Sequence, residues 1–304
     1  MRKLMQNETG LDNIRLTDVE EPHAGPGQVR VAWEAGGVNP MDWKLATGVF
    51  PLSYVKREYP LGFGSDFAGV IDEVGEGVEG FEVGQRVLGN RIGEGFGDYI
   101  VNKPVNLHLL PIPDGMSFEL AGALATVSST AVGAIDDLGD INGQTILIGG
   151  GAGGVGTIAV QYAVSKGARV LATGSESSAP ELRALGAEPV TYGDGLTQRV
   201  REALGSDTLA AAADLVNTDV VGAALELGVP AERITAISGG ELPEGVKASG
   251  NAAARTDARA DIVSRIAAGE IYVPIELSVP LERFREAIDR SMAGHVHGKV
   301  VITK

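Results

Sequence analysis

The stretch Leu147-Ile-Gly-Gly-Gly-Ala-Gly-Gly-Val-Gly-Thr-Ile-Ala159 places six glycines between positions 149 and 156. Glycine makes up 43 of the 304 residues, about twice the usual share, so roughly one chance Gly-x-Gly-x-x-Gly is expected. Such a decoy exists at Gly75-Glu-Gly77-Val-Glu-Gly80, where Glu76 and Glu79 would repel a phosphate and Phe81–Val87 reads as turn and strand. Context separates the two. Before Gly151-Ala-Gly153-Gly-Val-Gly156 stands Thr145-Ile-Leu-Ile148, an apolar run suited to a buried parallel strand. After it, Val155, Ile158, Ala159, Tyr162 and Ala163 recur at helical spacing up to Lys166-Gly167, and Ala168–Thr173 reads as a second strand. A strand, a glycine turn, a helix and a strand make the unit in which a pyrophosphate meets bare backbone N–H groups at a helix start. Gly151, Gly153, Gly154, Val155 and Gly156 are therefore the expected cofactor contacts.

Composition bounds the rest. The length has room for two domains. No apolar run is long enough to span a membrane, and the first ten residues lack the apolar core of a signal peptide, so a cytoplasmic location is expected. The absence of cysteine removes disulfides and thiolate catalysis and leaves metal binding to four histidines and the carboxylates. Net charge −15, with 40 acids against 25 bases, speaks against nucleic acid. Residues 1–120 have the texture of short strands and turns, including Gln28–Trp33, Ala68–Val74, Gln85–Leu88 and Asp98–Val101. Residues 121–255 alternate strands and helices as a doubly wound parallel sheet does, with the fourth strand expected at Ala213–Val216. Residues 256–304 add helices at Asp257–Ala268 and Leu281–Ala293 and a closing strand Lys299–Ile302.

The chain resembles the medium-chain dehydrogenase/reductase superfamily, in its zinc-independent quinone oxidoreductase (zeta-crystallin-like) branch. The motifs that carry this are Gly37-Val-Asn39-Pro-Met-Asp42, Gly64-Ser-Asp66-Phe-Ala-Gly69, Val74-Gly75, Phe81–Val87, Gly153-Gly-Val-Gly156, Leu185-Gly-Ala187 and Gly298-Lys-Val-Val301, in this order over nearly the whole length. The resemblance implies an α/β protein: a GroES-like, β-rich catalytic domain (1–120, completed by 256–304) and a Rossmann dinucleotide-binding domain (121–255). A homodimer is implied as well.

On the matching motifs, Asn39, Ser65 and Thr126 stand where zinc-dependent relatives carry a Cys, a His and a Cys. Neutral amide and hydroxyl oxygens are poor substitutes for those ligands, so no metal is expected. His295-x-His297 reads as a solvated turn. Without a Lewis acid, hydride delivery to a quinone or an activated C=C is favoured over alcohol oxidation, because it needs mainly alignment of the nicotinamide with an electrophilic carbon. The charge that develops on the acceptor oxygen wants a hydrogen-bond donor. The resemblance offers Asn39, Thr126 and Thr130, with Asn39 and Thr126 also near the cofactor. Asp42 and Asp66 read as caps of backbone N–H groups. Trp43, Phe50 and Tyr54, in and before the segment 48–59, are candidates for an apolar substrate wall, with ordinary packing as the alternative.

The second strand ends Ala172-Thr173-Gly174-Ser175, and its first acid, Glu176, comes one step later than an NAD-binding carboxylate usually does. Ser175, Ser177 and Ser178 suit a ribose phosphate, and Thr173, Gly174 and Ser175 are expected cofactor contacts, so NADP(H) is expected and NAD(H) is the alternative. Asn217, Thr218 and Ser238 fall where the cofactor's riboses normally run in this fold. The expected function is NADPH-dependent reduction of a quinone or enone. An enoyl-thioester or alkenal reductase and a non-catalytic NADPH-binding protein of crystallin or sensor type are the alternatives.

Overall fold

The computed structural model describes residues 1–237, 241–249 and 256–304, apart from the side chains of Tyr54 and Thr256. The chain divides into two compact units, Met1–Thr126 with Ile275–Lys304, and Val127–Pro274.

The first unit is built on a seven-stranded sheet centred on Val29–Val38. This strand pairs antiparallel with Asp66–Val74, with Tyr99–Asn102 and with the returning C-terminal strand Lys299–Thr303. The register sets Val38 opposite Val300 and Gly37 opposite Val301. Residues more than 260 positions apart thereby become neighbours. Val29, Val31 and Trp33 alternate into a core that also takes Leu4, Phe67, Ile71, Phe96, Val300 and Ile302, as the period-two pattern requires. A small three-stranded sheet of Arg2–Gln6, Ile14–Asp18 and Leu61–Gly62 covers one side. The decoy glycines form a turn in which Val78 N–H donates to Gly75 O, and the strand that follows begins only at Arg86.

The second unit is a six-stranded, wholly parallel sheet. Its order is Glu188–Thr191, Arg169–Gly174, Thr145–Gly149, Leu209–Asp214, Ile234–Ala236, Lys247–Ala248. This is the doubly wound order, in which the first and fourth strands lie side by side and the topology reverses between them. All five residues of Thr145–Gly149 are buried, as a strand covered on both faces demands.

Two boundaries differ from the sequence reading. The fourth strand runs Leu209–Asp214 rather than 213–216. Asp214 ends it, because its carboxylate accepts from the N–H groups of Val216 and Asn217 through Oδ1 and of Val220 and Val221 through Oδ2, tying the strand end to the start of the helix Asp219–Glu226. The helix Thr256–Ala267, assigned from sequence to the catalytic tail, clusters with the second unit. The segment after it is held there by Gln161, whose side-chain amide accepts from Tyr272 N–H at 2.9 Å and donates to Tyr272 O at 2.8 Å. Among the described residues no helix is long and apolar enough to cross a membrane.

Candidate functional site

In the second unit the strand Thr145–Gly149 breaks at Gly150, whose φ of 69° suits glycine. Gly150 N–H donates to Thr173 Oγ1 at 2.9 Å and Gly151 N–H to Thr173 O at 2.9 Å. Thr173 thus holds the turn from the next strand. Gly153 caps the helix Gly154–Ser165, and no side chain bonds to this end. The first N–H groups of that helix have no carbonyl behind them within the helix, so they point outward as donors. A Cβ on Gly156 would lie 2.0 Å from Gly150 O, whereas a Cβ on Gly153 would come no nearer than 3.4 Å to anything but its chain neighbours. Gly156 therefore lets helix and turn close, and Gly153 leaves an open approach.

At the end of the second strand, Ser175 Oγ lies 2.8 Å from Ser177 Oγ and 2.7 Å from Ser178 Oγ, and accepts from Ser178 N–H. Glu176 is exposed beside them. Gly174 is buried at the last position of its strand. Asn217 and Thr218 are exposed in the turn after the fourth strand, where Asn217 Oδ1 accepts from Asp219 N–H at 3.0 Å. Ser238 lies outside the described residues.

In the first unit the structure gathers a buried polar cluster. Asn39 precedes the helix Pro40–Ala46 and is 4% exposed. Its Oδ1 accepts from Lys299 Nζ at 2.6 Å, and its Nδ2 donates to Asp66 Oδ2 at 2.9 Å. Asp66, fully buried, also accepts from Thr126 Oγ1 at 2.5 Å and from Thr126 N–H at 3.2 Å. Lys299 Nζ donates to Val38 O at 3.2 Å as well. Asp42 accepts from Asn39 N–H at 2.8 Å and from the Ser65 hydroxyl. The lysine stem passes over Gly37, where a Cβ would lie 3.2 Å from Lys299 Cε and 2.9 Å from Ala123 Cα. That glycine is required for the cluster to close.

Burial pushes the Asp42 carboxyl up to about 7, against the hydrogen bonds from Ser65 and Asn39. It also raises the Asp66 carboxyl and lowers the Lys299 ammonium. Asp66 receives three hydrogen bonds and lies in the field of Lys299, and both favour its charged form against burial; Asp42 titrates near neutrality. Its folded value lies above that of an ordinary aspartate, so between the two the folded state holds a proton that the unfolded state has lost. Stability therefore falls as pH rises from about 4 to about 7. Asp42→Asn is expected to flatten that part of a thermal-midpoint profile against pH and to raise the midpoint at pH 8; an unchanged slope would contradict the assignment.

The remaining predicted residues are dispersed. Thr130 is buried one turn beyond Thr126 on the helix Ala125–Asp136. Trp43 packs against the core and donates from Nε1 to Ser291 Oγ at 3.1 Å, the geometry of ordinary packing. Phe50 is half-buried with Lys44 Nζ 5.6 Å from its ring centroid; the side chain of Tyr54 lies outside the described residues. Sequence reasoning singled out Asn39 and Thr126 but missed Lys299 and saw Asp42 and Asp66 only as caps, a role both do fill. The available signal was Lys299 opening an otherwise apolar strand, since a buried charge demands a partner.

The family model described as "Alcohol dehydrogenase GroES-like domain" matches residues 25–133, and that described as "Zinc-binding dehydrogenase" matches residues 185–302. The chain belongs to the medium-chain dehydrogenase/reductase superfamily. It is 36% identical over 226 residues to mycoketide-CoA synthase of Mycobacterium tuberculosis, a match covering 72% of this chain and 5% of that protein. The chain thus spans about a twentieth of that relative. It is 28% identical over 329 residues to an alcohol dehydrogenase of Geobacillus stearothermophilus, covering 95% of this chain and 96% of that one. The quinone oxidoreductase of Coxiella burnetii shares the fold, with a TM-score of 0.83 and 24% identity over 100% of this chain and 99% of that one.

The second family description implies a zinc ion, and the cluster does not suit one. Asn39, Ser65 and Thr126 offer neutral oxygens, and Asp66 among them already accepts from Asn39 and Thr126 in the field of Lys299. Among the described residues no group of three or more His, Cys, Asp or Glu side chains could hold a metal.

Proposed function

We propose that the protein transfers a hydride from a nicotinamide dinucleotide, NADPH in preference to NADH, to a quinone or another conjugated carbonyl acceptor, without zinc. The observation that carries this reading is the buried ammonium of Lys299 bonded to Asn39 in the cluster where the resemblance puts a metal. An internal cation supplies fixed positive charge but no open coordination position, so it favours acceptors that need only alignment and a hydrogen bond.

The glycine turn binds the cofactor diphosphate through its N–H groups. Asn39 is held at both ends, by Lys299 and Asp66, and its second N–H has only a long 3.5 Å contact with Gly37 O. That N–H is the donor free to bond the acceptor oxygen as charge builds on it; a proton from water completes the reduction. The serine cluster Ser175, Ser177 and Ser178 supports NADPH, since clustered hydroxyls can bond a 2′-phosphate and the strand itself ends without a carboxylate.

Asn39→Ala is expected to slow the hydride step about 100- to 1000-fold, the range for loss of one such donor, with cofactor affinity reduced only modestly. Single-turnover oxidation of NADPH checks this, and an unaltered rate would remove Asn39 from the site. The function itself is tested by following NADPH and NADH oxidation with a quinone, an enone and a crotonyl thioester. Reduction of at least one conjugated acceptor, faster with NADPH, is expected. Flat traces with the cofactor still bound would instead favour a non-catalytic sensor.

A second reading has its own support. The 36% match to part of a mycoketide-CoA synthase favours a thioester-activated C=C among the acceptor classes, reduced by the same hydride step.

A further inference from the structure

Arg57 and Arg91 lie on two segments of the first unit: the turn after Leu52–Val55, and the position after the strand Arg86–Asn90. Arg57 Nη2 donates to Ile92 O at 3.5 Å, which brings its guanidinium to the residue beside Arg91. Arg91 Nη1 donates to Asn106 O at 3.4 Å. Both contacts are long and end on neutral carbonyls. Arg91 Nε is buried without a hydrogen-bond partner, and so is Oδ1 of the adjacent Asn90. The acid closest in sequence to Arg91, Glu94, gives its carboxylate to Lys3 at 2.6 Å. Burial and the like charge of Arg57 hold the Arg91 guanidinium below its ordinary value, against the pull of Glu94.

Two neighbouring guanidiniums whose own hydrogen bonds end only on carbonyls are unusual in a chain carrying 40 acids and 25 bases. Arginine forks match phosphate oxygens in pairs, and an anion bound at their Nη groups would relieve the mutual repulsion. The location matters too. Asn90, next to Arg91, donates to Thr126 Oγ1 at 3.3 Å, so the pair adjoins the Asn39–Asp66–Thr126 cluster.

We propose that Arg57 and Arg91 form an anion site that seats the phosphate of an acceptor carried on a phosphopantetheine arm. This rests on the hydride-transfer reading and narrows its substrate class to thioesters of coenzyme A or of a carrier protein, which share that phosphate.

The test compares kcat and KM for crotonyl-CoA, a crotonyl-loaded carrier protein, crotonyl-pantetheine without phosphate, and a neutral quinone. It uses the intact protein and the variants Arg57→Ala, Arg91→Met and Arg91→Lys. For phosphate-bearing acceptors KM is expected to rise about 10- to 100-fold in Arg57→Ala and Arg91→Met, the scale of one charged hydrogen bond, with kcat little changed and partial rescue in Arg91→Lys. The phosphate-free thioester and the quinone should not respond. Preference between the first two acceptors tells which source of the phosphate is used.

Equal kcat/KM for crotonyl-CoA and crotonyl-pantetheine in the unaltered protein would overturn the anion site while leaving hydride transfer standing. Failure with every acceptor would overturn the functional reading. Calorimetric titration of the cofactor-saturated protein with phosphopantetheine then tests the site alone: binding lost in Arg91→Met supports it, and no binding to the unaltered protein refutes it. Retained far-ultraviolet circular dichroism separates these effects from misfolding.

Discussion

Lys299→Met is expected to destabilise the protein by about 3–5 kcal/mol, the cost of leaving one of two opposite buried charges uncompensated. The methionine fills the channel over Gly37 but leaves the carboxylate of Asp66 buried without its ammonium, and Asn39 Oδ1 without its donor. The double variant Lys299→Met with Asp66→Asn should lose less than the sum of the two single changes, because each single change strands the other's charge. Urea denaturation of the four proteins measures this coupling. Strict additivity would mean that the ammonium and the carboxylate do not interact, and the internal-cation account of the cluster would be wrong.

The second large effect lies in the glycine turn. Gly153→Asp is expected to weaken cofactor binding about 100-fold or more while the fold is kept. The position is open, with 3.4 Å to the nearest atom a Cβ would meet, so the side chain is accommodated; its charge would face the cofactor diphosphate. At about 4 Å, two like charges near a protein surface repel by about 4 kcal/mol. Gly156→Val is the contrasting change: its Cβ would stand 2.0 Å from Gly150 O, and the turn itself must open. A fluorescence titration with reduced cofactor, paired with thermal melting, separates the two. Unchanged affinity in Gly153→Asp would move the diphosphate elsewhere.

The strand, turn, helix and strand around Gly150 were legible because their contacts are local: four consecutive segments, each with its own period or punctuation. The fourth strand was misplaced because alanines at 210–213 carry no period, and its end is decided by Asp214 bonding four backbone N–H groups downstream. The hairpin Arg2–Gln6 with Ile14–Asp18 was not anticipated, its strands being short and rich in charged residues.

The polar cluster was legible only in fragments. Asn39 and Thr126 stood out through the resemblance, but Lys299 joins them because the last strand pairs with Val29–Val38 in a register that no local pattern encodes. Pairings of this kind, which bring positions 39, 66, 126 and 299 to one place, arise from the sheet rather than from any neighbourhood in the chain. Arg57 and Arg91 are likewise brought together from two segments far apart in the chain.

The central claim, that a hydride passes to the carbon end of a conjugated system, is tested most directly by isotope transfer. Nicotinamide cofactor deuterated at the transferring position is incubated with the protein and an enone, and the product is read by nuclear magnetic resonance. The account predicts one deuterium on the carbon β to the carbonyl, with the carbonyl intact. Deuterium on the carbonyl carbon, giving an alcohol, would contradict it, as would its complete absence from the product.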